Sequence, residues 1–203
     1  DDTVDLTNLQ RQIIHRTSAV GQPKVESARS VLHDINPEVE CIALAQRPAP
    51  ERLQALVDAA DVVLDCSDNF DTRYAVNRAC LQARTPLVSG AAVQFHGQIS
   101  VYDFRRDDSP CYHCLFPEDL QAAESRCATT GVFSPLVGII GTLQAAEALK
   151  LLMDIGQSLN GRLINLNALD MNLLQTRVRK DAACPVCGSS RLPGNGQAQG
   201  IKA

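Results

Sequence analysis

The chain has 203 residues, of which 45% are hydrophobic and 21% charged; this composition indicates one globular domain with appendages and excludes disordered and collagen-like proteins. Its 19 basic and 23 acidic residues give a formal net charge of −4, which argues against a surface for nucleic acid or anionic lipid. Charged and polar residues interrupt even the apolar segment 135–153, and the first residues lack a basic and apolar signal segment. We therefore expect a cytoplasmic protein with no nucleic-acid partner and no membrane span.

Apolar periodicity along the chain predicts helices that alternate with strands. The predicted helices, identified by 3.6-residue spacing and by capping residues, cover residues 7–16, 23–35, 50–59, 71–84 and 135–153. The predicted strands, identified by alternation or by β-branched runs, cover residues 39–44, 61–66, 86–89, 98–104, 162–166 and 171–178. The run at 61–66 is typical of a buried parallel strand. The order of elements predicts an α/β sheet with paired strands at its C-terminal end.

Two further expectations concern burial. The longest predicted helix has apolar residues that we expect to form its buried face: Leu143, Ala146, Ala148, Leu149 and Leu152. Cys41, Cys66 and Cys80 fall on predicted strands or helices, and we expect them to be small buried apolar side chains.

Two Cys-x-x-Cys pairs carry the strongest chemical signal. The pairs Cys111/Cys114 and Cys184/Cys187 have 69 residues between them, and together they supply the four thiolates of a tetrahedral zinc site. Four thiolate ligands leave no open coordination position, so such a site would be structural. The alternative is a redox-active pair, although redox activity needs no second pair. His113 lies between two of the ligands and is predicted to be a surface histidine.

Polar residues follow the predicted strand 61–66, where the carboxyl end of a parallel strand commonly binds ligands. Asp68 is placed to hold Mg²⁺ on a phosphate, and Asn69 to cap the next helix. Taken alone, the Ser-Asp-Asn run at 67–69 would more often be only a turn and a helix cap. Upstream, Arg11 and Lys24 could clamp a polyphosphate, although each alone would more often be a solvated charge. No Gly-x-Gly-x-x-Gly turn is found in these residues.

Several motifs in a fixed order resemble one family. They are Asn-Leu-Gln-Arg-Gln at 8–12, Gly-Gln-Pro-Lys at 21–24, Leu-Asp-Cys-Ser-Asp-Asn at 64–69, Pro-Leu-Val-Ser-Gly-Ala-Ala at 86–92 and the two cysteine pairs. Together they resemble the bacterial ubiquitin-activating-like adenylyltransferases, the ThiF, MoeB and HesA proteins. The resemblance covers nearly all of the chain before its Gly-rich end.

The resemblance implies a Rossmann-like doubly wound sheet without its first βαβ segment, followed here by the antiparallel strands and the zinc site. Residues 1–187 would be an N-terminally truncated adenylyltransferase domain, and residues 188–203 a flexible tail. The implied enzyme uses ATP and Mg²⁺ to adenylate the C-terminal Gly-Gly carboxylate of a small ubiquitin-like sulfur carrier for thiamine or molybdopterin biosynthesis. By the same resemblance it would be a homodimer.

The resemblance also assigns roles to individual residues. Asn8, Arg11 and Lys24 would hold the ATP phosphates, and Asp68 would bind magnesium beside Asn69. Cys127 matches a cysteine that takes part in sulfur transfer in ThiF-like proteins, but MoeB-like relatives also have one without needing it. A catalytic role and an incidental loop role for Cys127 therefore both stay open.

Two other functions compete with the adenylyltransferase. A zinc-stapled scaffold that binds a carrier without performing chemistry fits the absence of the Gly-rich turn from these residues. A nicotinamide oxidoreductase on a similar sheet is disfavoured, because nothing marks a hydride-acceptor site and the predicted phosphate-binding residues would have no purpose.

Overall fold

The computed structural model describes residues 2–118 and 131–188. Its helices are α1 (Lys24–Ile35), α2 (Pro50–Asp58), α3 (Phe70–Ala83), α4 (Tyr112–Leu115) and α5 (Ser134–Met153), with 3-10 turns at Leu6–Asn8 and Thr17–Ala19. Its strands are β1 (Val63–Asp65), β2 (Leu87–Val93), β3 (His96–Tyr102), β4 (Arg162–Asn167) and β5 (Asn172–Arg177).

The five strands form one mixed sheet in the order β1-β2-β3-β4-β5. β1 and β2 run parallel and are joined through α3, whereas each later strand pairs antiparallel with the one before it. β1 therefore has one partner among the described strands and stands at the edge of the sheet, and Leu64 on it is 41% exposed. The prediction of an α/β sheet with antiparallel C-terminal strands is confirmed; the edge position of β1 was not predicted.

Helices cover both faces of the sheet. Leu87 and Tyr102 point to one face, where they pack in a cluster with residues of α2, α3 and α4. Val88 and Val101, their neighbours along the same strands, point to the other face and pack against α5. Because successive residues of a strand face opposite sides, this alternation gives three layers of helix, sheet and helix.

Two predicted elements near the N-terminus are wrong. The helix expected at 7–16 is a single 3-10 turn followed by loops, because Asp5 and Asn8 cap that turn reciprocally and compete with a longer helix. The strand expected at 39–44 is not formed, and these residues have no strand partner among the described residues. Its apolar Ile42 is 75% exposed, because a strand pattern forms a strand only where a neighbour supplies hydrogen bonds.

The face that α5 turns to the sheet also differs from the prediction. Leu143, Leu149 and Leu152 are exposed, and of the expected stripe only Ala148 is buried. The buried face instead comprises Leu136, Ile140, Gln144, Glu147, Ala148 and Leu151. The apolar periodicity pointed to the wrong side because this helix is apolar almost all round, with its polar side chains turned inward.

By length and composition α5 is also a helix that can cross a membrane, with a mean hydropathy of 1.5. The sequence analysis did not predict this property, because it took the charged and polar residues within 135–153 to exclude a membrane span. Its contacts with β2 and β3, and the buried positions of Gln144 and Glu147, are those of a helix that covers a sheet.

Candidate functional site

The turn after β1 positions the predicted magnesium ligand. Asp65, the last residue of β1, is buried, and its Oδ1 accepts hydrogen bonds from the Ser67 amide at 2.9 Å and the Ser67 hydroxyl at 2.7 Å. Asn69 caps α3, since its Oδ1 accepts from the Thr72 amide at 2.9 Å, as the sequence predicted. Asp68 thus lies between a side-chain-stabilised turn and the first residue of a helix.

Two carboxylates of this turn remain available for a ligand. Asp68 is exposed and makes no hydrogen bond or ion pair with any residue in the described ranges. The Oδ2 atom of Asp65 is buried and also has no hydrogen-bond partner there. A magnesium ion takes carboxylate and phosphate oxygens, so the chemistry of this turn fits a metal-bound nucleotide.

Helices on both sides of the sheet fix the same turn. From α5, Nε2 of Gln144 donates to the Asp65 carbonyl oxygen at 2.9 Å. From α3, Nη2 of Arg73 donates to the Ser67 carbonyl oxygen at 2.7 Å. The sequence analysis missed Asp65, Arg73 and Gln144. For Gln144 the available signal was a polar residue within an apolar helix, which predicts an internal hydrogen-bond partner.

The other predicted phosphate-binding residues lie together in the N-terminal segment. Asn8 is buried, and its Oδ1 accepts from the Asp5 amide at 3.0 Å. Nη1 of Arg11 donates to the Thr7 carbonyl oxygen at 3.3 Å, and Lys24 forms an ion pair with Asp2. Isolated ion pairs near the surface contribute little, so a phosphate can replace Asp2 as the partner of Lys24 at small cost.

The structure brings the predicted residues together as two groups. Backbone hydrogen bonds from Val4 to Gln22 and from Lys24 to Asp2 join the two ends of the N-terminal segment. The hydroxyl of Ser134, the first residue of α5, donates to the Gln10 side chain and connects this segment to α5. Within residues 2–118 and 131–188, no direct hydrogen bond or ion pair joins Asn8, Arg11 or Lys24 to Asp68 or Asn69.

The four cysteines of the two pairs form one cluster. All four Sγ atoms, from Cys111, Cys114, Cys184 and Cys187, lie within 4.8 Å of one another. Sγ separations of 3.9 Å for Cys111–Cys114, 3.8 Å for Cys111–Cys184 and 3.3 Å for Cys114–Cys187 define its edges. Zn–S bonds of about 2.3 Å in a tetrahedron place sulfurs about 3.8 Å apart, so the cluster fits zinc.

The protonation of the cluster suits a metal cation. Hydrogen bonds from the neighbouring thiols of Cys111 and Cys187 lower the pKa of Cys114, so one thiolate is favoured before any metal binds. The hydrogen bond to Cys114 raises the pKa of Cys111, and burial raises it further. A cation in the centre would replace these shared protons.

The remaining predicted residues have mixed outcomes. His113 is not simply a surface histidine: its Nδ1 lies 3.7 Å from the Cys184 Sγ, and its Nε2 accepts from the Glu118 amide at 3.4 Å. Of the cysteines expected to be buried, Cys80 is buried, Cys41 is half-buried, and Cys66 in the turn after β1 is exposed. Burial still raises the pKa of the Cys66 thiol. Cys127 lies outside the described residues.

Comparison with known proteins identifies the family. Residues 1–186 match the description "ThiF family". The chain belongs to the ThiF family. It is 40% identical over 190 residues to "Molybdopterin-synthase adenylyltransferase" of Salmonella typhimurium, a match that covers 92% of this chain and 74% of that protein.

Two further relatives have different named roles. The chain is 42% identical over 190 residues to "Sulfur carrier protein ThiS adenylyltransferase" of Escherichia coli, covering 94% of this chain and 74% of that protein. It is 43% identical over 189 residues to "SAMP-activating enzyme E1" of Haloferax volcanii, covering 93% and 69% respectively.

A solved structure has the same fold. E. coli MccB, crystallised with ATP, superimposes with a TM-score of 0.79 at 23% identity. The match covers 92% of this chain but only 57% of the MccB chain.

Proposed function

We propose that the protein adenylates the C-terminal Gly-Gly carboxylate of a small ubiquitin-like sulfur carrier with Mg·ATP. The observation that carries this proposal is the membership of the ThiF family combined with an exposed Asp68 at the carboxyl end of β1, which has no partner among the described residues. Relatives at 40% identity or more are named adenylyltransferases of molybdopterin synthase and ThiS, so a non-catalytic scaffold is not favoured.

The proposed reaction joins two anions. A carboxylate oxygen of the carrier attacks the α-phosphorus of ATP, the bond from that phosphorus to the bridging oxygen breaks, and pyrophosphate leaves with the electron pair. The product is an acyl-adenylate. Because the attacking group and the phosphates are both negative, cations fixed around the phosphates lower the barrier most.

The residues of the two groups divide this work. Asn8, Arg11 and Lys24 hold the ATP phosphates, and Arg11 and Lys24 neutralise phosphate charge. The Asn8 side chain also stiffens the segment that carries them. Asp68 supplies the carboxylate for Mg²⁺, while Asn69 orders the helix that follows it. Bound Mg²⁺ would act as a Lewis acid that stabilises negative charge on the phosphates and makes the α-phosphorus more electrophilic.

The family match extends this proposal beyond the described residues. We propose one adenylyltransferase domain over residues 1–187, in which the exposed edge of β1 is open to pairing with a further strand. Residues 188–203 would form a flexible tail, and Cys127 remains a candidate for covalent sulfur transfer. The four-cysteine cluster would hold structural Zn²⁺, and its free thiols suit a reducing cytoplasm.

We also propose that the protein is a homodimer. The exposed face of α5 carries Leu149 and Leu152, together with Gly138 and Gly141, where an added Cβ would meet no atom within 4 Å. Small residues flanked by exposed leucines allow close approach of a second helix of the same chain.

ATP–pyrophosphate exchange tests the function in the full-length, zinc-loaded protein. A thiamine-type and a molybdopterin-type carrier are tested separately, since relatives of both kinds have similar identity to this chain. We expect exchange with one carrier and none with the same carrier lacking its terminal glycine. No exchange with either carrier would contradict the proposal.

An Asp68→Ala variant tests the assigned residue in the same assay. We expect exchange to fall by about 100-fold or more because the metal-binding carboxylate is gone, with zinc content unchanged. Asp71→Ala is the matched control: Asp71 is also exposed, three residues further along, and its loss should leave exchange intact. Equal exchange in the Asp68 variant and wild type would remove Asp68 from the site.

A further inference from the structure

Gln144 is a buried polar side chain in the most apolar helix of the chain. It is 3% exposed, and all of its polar groups have partners. Nε2 donates to the carbonyl oxygens of Asp65 at 2.9 Å and Val88 at 3.3 Å, and Oε1 lies 3.5 Å from the Cys66 Sγ, which donates to it. A buried amide is tolerated only where its hydrogen bonds are made, so these contacts account for a polar residue at this position.

The sheet has space for the Gln144 amide because the facing residue on β2 is a glycine. A Cβ atom added to Gly90, on β2, would lie 2.4 Å from both Cδ and Oε1 of Gln144. Even alanine at position 90 would therefore displace the amide from its acceptors. Gly90 and Gln144 form a matched pair in which the missing side chain on the strand admits the amide from the helix.

Two of the atoms that Gln144 contacts, the Asp65 carbonyl oxygen and the Cys66 Sγ, belong to the start of the turn 65–69. Asp65 ends β1, and its carbonyl leads directly into the turn that carries Asp68. The Asp65 carboxylate in turn binds the amide and hydroxyl of Ser67. On the far side of the sheet, Arg73 holds the Ser67 carbonyl. Gln144 is therefore the anchor from α5, and Arg73 the anchor from α3.

We propose that Gln144 is a positioning residue, which fixes the turn 65–69 against α5 so that Asp68 is held ready for the metal-bound nucleotide. This inference rests on the proposed function, because it assigns Asp68 the role given there. Both amide hydrogens of Gln144 are used on carbonyl oxygens of two different strands. A carboxylate would face those oxygens with like charge, and a thioether would leave them without a donor.

A Gln144→Met variant removes the amide while keeping the size of the side chain. Leu151→Ala is the matched control, since Leu151 is buried on the same face of α5 but packs in the apolar cluster with Val88 and Ile164. Both substitutions lower thermal stability. Hydrogen exchange of the amides at 65–69 should accelerate about tenfold in Gln144→Met alone, because only that turn loses its anchor.

Carrier-dependent ATP–pyrophosphate exchange supplies the second measurement on the same full-length variants. The KM for Mg·ATP should rise about tenfold in Gln144→Met and stay at the wild-type value in Leu151→Ala, because only the first misplaces Asp68. An unchanged KM, or equal rises in both variants, would overturn the positioning role.

Gly90→Ala provides an independent perturbation with Gln144 still present. Because the added methyl displaces the amide, this variant should reproduce both the faster amide exchange at 65–69 and the raised KM. A Gly90→Ala protein with wild-type behaviour in both would contradict the proposal. If the wild-type protein is inactive with every carrier, the proposed function is wrong, and amide exchange at the turn alone decides whether Gln144 anchors it.

Discussion

Lys24 acts on several ionisable neighbours in the N-terminal segment. Its hydrogen bond to Asp2 lowers the pKa of that carboxyl, and its charge adds to the effect of Thr7 in lowering the pKa of Asp5. Burial lowers the pKa of His15, and the charge of Lys24 lowers it further. A phosphate bound at Lys24 would meet the same positive charge that lowers the pKa of these neighbours.

The pKa of His15 can be measured to test this field. His15 is buried with its Nδ1 2.9 Å from the Ser27 hydroxyl, and its neutral form is favoured. We expect NMR titration to give a pKa below 6.5, the usual value for histidine. Lys24→Gln should move it partway back, since burial remains, whereas Arg16→Gln should not change it. A titration unaffected by Lys24→Gln would contradict the proximity of the two groups.

The same shift has a consequence for stability. Because the pKa of folded His15 is depressed, both folded and unfolded states are neutral above about pH 6.5, and the stability contributed by the neutral side chain is complete there. As the pH falls from about 6.5 through the folded pKa, the unfolded state binds the proton first and the free energy of unfolding decreases. A His15→Gln variant should lose this part of the pH dependence.

At the scale of elements, periodicity predicted what depends on local spacing. The helix from Pro23 to Ile35 and the paired strands after α5 were placed within a residue or two, because caps and alternation are local signals. The prediction of a strand at 39–44 was wrong because a strand needs a neighbouring strand to pair with, and the local sequence pattern does not show whether one is present. The predicted buried face of α5 was wrong because Gln144 and Glu147 point inward. Polar residues of a helix usually mark its exposed face, and in this apolar helix they do not.

The residues of the candidate site were also predictable only where local sequence determines their contacts. The four cysteines and Asn69 were predictable because their spacing or position in a turn already dictates their contacts. Asp65 and Gln144 were not, because 79 positions separate two residues joined by one hydrogen bond across the sheet. Contacts of that kind depend on how β1 and α5 pack and are not encoded in either segment alone.

The exposed face of α5 leads to a prediction at this scale. A Leu149→Glu variant places charges in the proposed homodimer interface, so we expect sedimentation equilibrium to show a dimer dissociation constant raised by about 100-fold. Leu149 is 53% exposed in the single chain, so folding should be little affected. Leu174→Glu, on the exposed edge strand β5, is the control and should leave the dimer intact. A Leu149→Glu protein that dimerises as wild type would place the interface elsewhere.

At the scale of the whole molecule, the cysteine cluster and the turn 65–69 are connected through α3. The backbone amide of Tyr112, between two cluster cysteines, donates to Oδ1 of Asn77 on α3 at 2.9 Å. One turn earlier on the same helix, Nη1 of Arg73 donates to the Tyr112 hydroxyl at 3.3 Å while Nη2 holds the Ser67 carbonyl. Hydrogen bonds through Tyr112 and Arg73 therefore link the cysteine cluster to the turn before Asp68.

A Cys184→Ser variant tests this connection together with the metal. Removing one of four ligands should reduce bound zinc below one equivalent and cost about 3 kcal/mol, which for a chain of this size lowers Tm by about 10 °C. Cys41→Ser, outside the cluster, is the control and should keep both zinc and Tm. Because Tyr112 would lose its fixed position, amide exchange at Ser67 should also accelerate in the Cys184 variant. Full zinc content would refute the four-cysteine site, whereas zinc loss with unchanged exchange at Ser67 would confine the role of the metal to its own end of the fold.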